Sequence, residues 1–341
     1  MYAEAVSQLN ANTKAKMPVE NSLKRTIRNY RKKKNPIDPA SLEELQILGE
    51  WCYTGGPQNK LLLLDDNRLE GNERIIMFAT HEGLVNLTKS SRWYMDGNLA
   101  LAPKLFSQLY VIRVEINNNF TTSVYILLQN KTLATYEVKL TTLLKKCEEQ
   151  NLYPGPAIVH VDFEHAVITA ITHVHIQGCF YHLTQSTYRK EQELGLQTQY
   201  REDQNLIEFC GKMDVKNENN KIILRNCPPI FPPNLWNVNE STLNDEERTN
   251  NSTEGWNLRF SKLVGQTHPT IWTIINKIRL EVASDETKLA QIELGVPQQK
   301  RQNTVYKKLQ IQLKKLCENY NKVTRDIENL LTAISYTIRY R

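Results

Sequence analysis

From residue 74 onward, apolar residues gather in short runs rich in Ile, Val, Leu, Phe and Tyr, at 75–79, 93–95, 109–116 and 123–128, with Gly, Asn and Asp turn signals between them. Runs of this kind predict β-strands, and three of them lie close enough in sequence to be antiparallel neighbours. The period then changes. Leu133, Tyr136, Leu140, Leu143, Leu144 and Cys147 recur at helical spacing and are closed by Asn151 and the Pro154-Gly155-Pro156 breaker. This amphipathic helix feeds 157–161, a continuous apolar run of the sort found in a strand buried on both faces. A helix over 164–173, a short strand over 175–180 and a helix starting near His182 follow. The order strand, strand, strand, helix, strand, helix, strand, helix defines an α/β fold, a mixed sheet with helices on its faces.

Other patterns flank this core. Residues 1–40 are polar and basic and read as an arm ending at Pro36 and Pro39, after which Ser41 caps a helix predicted over 42–48. Residues 41–90 form an N-terminal subdomain leading into a core at 91–200. Residues 201–248 show no clear period and contain Pro228, Pro229, Pro232 and Pro233, so they are expected to be an insertion outside the sheet. Helical spacing returns through Trp256, Phe260, Leu263 and Val264, and again through Ile271, Ile275 and Ile278, within a helical segment at 249–295. In the last segment, 296–341, Leu309, Leu313, Leu316, Tyr320, Val323, Ile327, Leu330 and Ile334 alternate spacings of four and three. Such a heptad seam serves a coiled coil between two chains, and hence a homo-oligomer, or a helix packing onto its own domain.

Composition narrows the class. A chain of 341 residues with 40% hydrophobic content buries a sizeable core, as two domains or as one with a large insertion. Its apolar runs are too short to cross a bilayer and its N-terminus lacks a signal pattern, so a soluble protein that stays inside the cell, with no membrane partner, is expected. The six cysteines are scattered, with no paired zinc or disulfide spacing, which suits a reducing compartment. The net charge of +6 is unevenly placed, with Lys24, Arg25, Arg28, Arg31, Lys32, Lys33 and Lys34 crowded together. That cluster is a candidate phosphate-binding or nuclear-import patch, or else a solvated helix face.

Two acids stand where strands should end, Asp96 after Trp93-Tyr94-Met95 and Asp162 after Ile158-Val159-His160-Val161. On parallel neighbours they would emerge side by side and hold Mg²⁺ or Mn²⁺ through oxygen. A third carboxylate would allow two ions, stabilising both the attacking and leaving oxygens of a phosphodiester. Each acid also has a structural role open to it: Asp96 beside Gly97 can start a turn, and Asp162 can cap the next helix. Glu254 is a third candidate, although Asn251 three residues earlier resembles the start of a capping box. Cys179 and His182, one helical turn apart, are either half of a metal site or a packed cysteine and a helix-starting histidine.

Together these residues resemble one family. Trp93-Tyr94-Met95-Asp96-Gly97, then Pro103 with Phe106-Ser107-Gln108-Leu109-Tyr110, and Val161-Asp162-Phe163-Glu164-His165-Ala166 carry the likeness. So do Gly178-Cys179-Phe180-Tyr181-His182, Thr249-Asn250-Asn251 through Glu254-Gly255-Trp256-Asn257, and His268-Pro269-Thr270. In this order, over about residues 20–295, the chain resembles the Mutator-like element transposases of animal genomes. The resemblance implies an RNase H-like fold with two Mg²⁺ or Mn²⁺ ions on Asp96, Asp162 and Glu254 as catalytic ligands, with Cys179 and His182 supporting the site. It also implies a nuclear location and double-stranded DNA as partner, cut at transposon ends and joined to a target. The chain departs from the family in three ways: Asn98-Leu99-Ala100 replaces the usual Thr-Phe-Lys, the stretch between Tyr200 and Trp236 is shortened, and no Cys/His zinc module precedes the domain. The alternatives are a non-catalytic nuclear DNA-binding or assembly protein using the basic arm and the heptad helix, and a nuclease acting on RNA hybrids, which the Glu254 motif disfavours.

Overall fold

The computed structural model describes residues 35–68, 73–117, 119–171, 174–178, 214–218, 221–225, 233–247, 250–296 and 304–322, with several shorter pieces. A short helix, α1 (Ala11–Lys16), lies in the arm. The predicted helix over 42–48 forms only a single turn at 42–44. Ser41 Oγ accepts from the Glu44 amide and the Glu44 carboxylate from Ala40, but the chain then extends, because Leu45 and Ile47 are both buried and recur with period two.

The sheet begins with β1 (Leu63–Asp66) and β2 (Ile75–Phe78), so residues 41–90 share the sheet with the segments that follow. After them come α2 (His81–Lys89), β3 (Arg92–Asn98), β4 (Gln108–Ile116), β5 (Asn119–Leu128), α3 (Leu133–Glu148), β6 (Ile158–Val161), α4 (His165–Ala170) and β7 (His175–Gly178). The seven strands are ordered β1-β2-β5-β4-β3-β6-β7. Pairing is antiparallel from β1 to β3 and parallel from β3 through β6 to β7. The sheet is therefore mixed, and the fold is α/β. The crossover helix α3 makes the parallel pairing possible, since parallel strands cannot be joined by a hairpin.

Alternation along the strands divides the core between two faces. Ile75, Met77, Trp93, Met95, Tyr110, Ile112, Ile126 and Val159 face α2, α3 and α4, where Leu84, Leu87, Leu143 and Cys147 cover them. Ile76, Phe78, Leu109, Val111, Tyr125 and Leu127 face α6 (Asn251–Val264) and α7 (Ile271–Glu293), which follow α5 (Asn239–Leu243). Trp256 and Phe260, one helical turn apart on α6, stack at 4.7 Å against this second face. Burying each contributes about 2–3 kcal/mol. Threonines 80, 132 and 270 cap α2, α3 and α7 by accepting from the amides of Gly83, Thr135 and Thr273. Gly265, at φ +75°, ends α6 in the left-handed conformation open to glycine.

Between 201 and 248 the described residues contain a separate hairpin, β8 (Asp214–Glu218) with β9 (Lys221–Arg225), and α5; none of these joins the seven-stranded sheet. Helix α8 (Thr304–Asn321) packs on α5. Leu313 and Cys317 are buried there, and Gln310 donates to Thr242 O and Asp245 Oδ1. Of the heptad stripe, Leu313 is buried within the chain, while Leu309, Leu316 and Tyr320 are half-buried. Among the described residues no helix is long and apolar enough to cross a membrane.

Candidate functional site

The β3 and β6 strands pair in parallel register, with Trp93 opposite Val159 and Tyr94 opposite His160. Carried two residues further, one residue past the end of β6, that register would set Asp96 level with Asp162. Continued strand alternation would also put the two on one face. Tyr94 and His160 stack at 4.4 Å with their planes 4° apart; Asp96, two residues on within β3, is sent to the same side, toward α6, and Asp162 would follow if the pleat ran one residue past β6.

Neither acid takes the structural role the sequence left open to it. Asp96 lies inside β3, paired with Val111, and the strand runs on to Asn98, so it starts no turn and does not close the strand. The N-cap of α4 is Glu164, so Asp162 precedes the helix without capping it. Nor is the Asn251–Glu254 capping box formed: the N-cap of α6 is Asn250, whose carbonyl accepts from the Glu254 amide.

Two asparagines, seven residues apart and so on one face of α6, fasten that helix over the carboxylates. Buried Asn250 donates from Nδ2 to Met95 O at 3.3 Å. Asn257 Nδ2 donates to Asp96 Oδ2, and Asn257 Oδ1 accepts from Asn98 at 3.4 Å. Glu254 is three residues before Asn257 and shares its side of the helix. Asp96 is buried, while Asp162 and Glu254 are half-buried. Arg113, sandwiched between the Phe120 and Trp256 rings, holds the first turn of α6 by donating to Ser252 O at 2.7 Å. Burial lowers its pKa to about 10, so the guanidinium stays charged at neutral pH.

The opposite side of the sheet fixes the turn after Asp162. Gln108 Nε2 donates to the Tyr136 hydroxyl at 2.7 Å, and that hydroxyl donates to Glu164 Oε1 at 3.0 Å. A Cβ on Gly97 would lie 2.1 Å from Gln108 Oε1, so the residue following Asp96 leaves room for this chain. A Cβ on Gly178 would lie 2.4 Å from the Phe163 ring, which packs across it.

Asp96, Asp162 and Glu254 offer only carboxylate oxygen, the donor type that a hard divalent cation takes, and in kind they fit the ion implied by the resemblance. Among the described residues, no group of three or more His, Cys, Asp or Glu side chains is arranged to hold a metal ion. Cys179 and His182 lie outside the described residues, as do Lys24, Arg28, Arg31, Lys32, Lys33 and Lys34 of the basic cluster; Arg25 alone of that cluster is described. No family model, curated protein or solved structure matches the chain, so its chemistry is read from its own residues. The clamp residues Asn250 and Asn257 carried a usable signal in the sequence, a seven-residue spacing that brackets Glu254.

Proposed function

We propose that the chain is a DNA nuclease and strand transferase of the transposase kind, built on an RNase H-like version of its α/β fold. The observation that carries this reading is the parallel pairing of β3 with β6, whose register, carried past its last pair, would bring Asp96 and the residue after β6, Asp162, level with each other. These three carboxylates would hold Mg²⁺ or Mn²⁺, which when bound polarises a phosphodiester and lowers the pKa of water. The chain's own part is positional. Asn257 orients the Asp96 carboxylate, Asn250 and Arg113 pin the helix that presents Glu254, and the Gln108, Tyr136 and Glu164 chain steadies the turn after Asp162. The sequence motifs around all three acids support the same assignment, with double-stranded DNA as substrate and the nucleus as its location.

The test is nicking of supercoiled plasmid by the purified chain in Mn²⁺ or EDTA, beside Asp162→Ala. Metal-dependent nicking lost in the variant is expected; equal background from both folded proteins refutes the catalytic reading. A second reading, a DNA-binding protein without catalysis, draws on the engagement of the Asp96 carboxylate by Asn257. It requires salt-sensitive DNA binding that survives loss of either aspartate.

A further inference from the structure

The outer side of α8 has no part in the site described above. Its inner side buries Leu313 and Cys317, the helix packs on α5, and Lys314 is paired with Asp245. On the side facing away, Lys308, Lys315 and Lys322 recur every seven residues, which at 1.5 Å per residue places them about 10.5 Å apart in a row roughly 21 Å long. The Lys322 amide bonds to Glu318 O at 3.1 Å, so helical geometry reaches the end of the row. Lys307 flanks it. All four lysines are exposed, and none meets an acidic partner among the described residues. Between 304 and 322 there are five lysines and a single acid, the half-buried Glu318.

A solvated helix face ordinarily mixes charges of both signs. This one is nearly all positive, and its length is set by a rigid helix. We infer that the row Lys307, Lys308, Lys315 and Lys322 is a docking surface for the phosphate backbone of duplex DNA. Rigid spacing lets one helix face meet several phosphates at once, with release of their counterions. A lipid surface fits less well, because the apolar side of the helix is already packed within the chain and Ile311 is the one strongly exposed large apolar residue on described α8. The choice of duplex DNA among polyanions rests on the reading of the carboxylate site.

The test measures binding of a short labelled duplex by anisotropy across a tenfold range of salt, in EDTA and on an Asp162→Ala background, so that no cleavage enters. Replacing the four lysines with Gln should lower the slope of log affinity against log salt by about 3 to 4, at ~0.9 per phosphate contact. Affinity should fall on the order of 10³-fold at the low-salt end and little at the high-salt end. A matched variant with Lys89, Lys104, Lys145 and Lys262 changed to Gln removes the same charge from exposed positions elsewhere. An unchanged slope in the first variant, an equal drop in both, or preference for anionic vesicles over the duplex overturns the inference. Circular dichroism of each variant confirms that loss of binding is not loss of fold. Since binding is read without metal, a chain that fails to nick plasmid leaves this result standing, and a failed row leaves the nicking result standing.

Discussion

Lys139 offers the sharpest check on how the core under the site is built. Its side chain is fully buried on α3, with Nζ 3.3 Å from the centre of the Tyr110 ring and 4.5 Å from that of Tyr136. No hydrogen-bond acceptor reaches Nζ among the described residues. Two effects compete. A desolvated cation over an aromatic face gains about 2 kcal/mol, whereas taking an unpaired ammonium out of water costs several. Burial wins and holds the Lys139 pKa well below the ordinary lysine value, with the negative charge of Glu164 opposing it less strongly. The folded chain then carries one proton fewer than the unfolded chain at every pH between the lowered pKa and the free value near ~10.4. In that window stability rises with pH, by about 1.4 kcal/mol per unit from this group. Lys139→Met fills a similar volume with no charge to remove. Urea unfolding of both proteins across about pH 7 to 9 should find the variant more stable at the lower pH, with the gap narrowing as pH rises. A gap that does not move with pH would mean that the amine remains charged in the fold, and the argument would fail.

Two further outcomes test other parts of the structure. His160, stacked on Tyr94, is pushed down to about 3, first by burial and then by Arg92. It stays neutral in the fold while the unfolded chain takes a proton below about pH 6.5, so stability falls by ~1.4 kcal/mol per unit between about pH 6 and 4. His160→Phe should flatten the acid limb of the thermal midpoint relative to the wild type, and parallel limbs would refute the assignment. Glu281, 1% exposed on α7, accepts two bonds from Arg259 at 2.6 and 2.5 Å and one from Trp256 at 3.0 Å. Glu281→Gln should cost about 2–3 kcal/mol, at or below the bottom of the ~3–5 kcal/mol range for a broken buried pair because Arg259 is half-exposed. A loss under about 1 kcal/mol in urea unfolding would show that the pair contributes little.

Much of the central sheet was legible because its strands are apolar enough to stand out singly. The run at 109–116 and the helix around Leu133 to Cys147 carry their periods in the residues themselves, and they form as β4 and α3. Elements whose identity depends on a distant partner were not legible. The sequence of β1, Leu-Leu-Asp-Asp, looks like a turn, yet Asp66 is drawn into the sheet edge by a 2.7 Å ion pair with Arg74, both side chains nearly buried. Helix α2 buries only Leu84 and Leu87, too few positions to establish a period. The β8–β9 hairpin lies in a stretch where no apolar alternation marks it.

The sequence by itself determined the alternation of elements, the α/β class and the positions of Asp96 and Asp162 close to strand ends, since these follow from local period and turn chemistry. Only the tertiary structure decided that β3 and β6 are parallel neighbours, with Tyr94 opposite His160. It alone decided that Asn250, not Asn251, opens α6, because that choice depends on a carbonyl of β3 some 155 residues away. It also decided which side of α8 turns inward: an apolar stripe states that one side of a helix is apolar, and only the elements packed on it state what covers it. With Leu313 and Cys317 buried on the inner side and α5 packed on the helix, the lysines are left facing out.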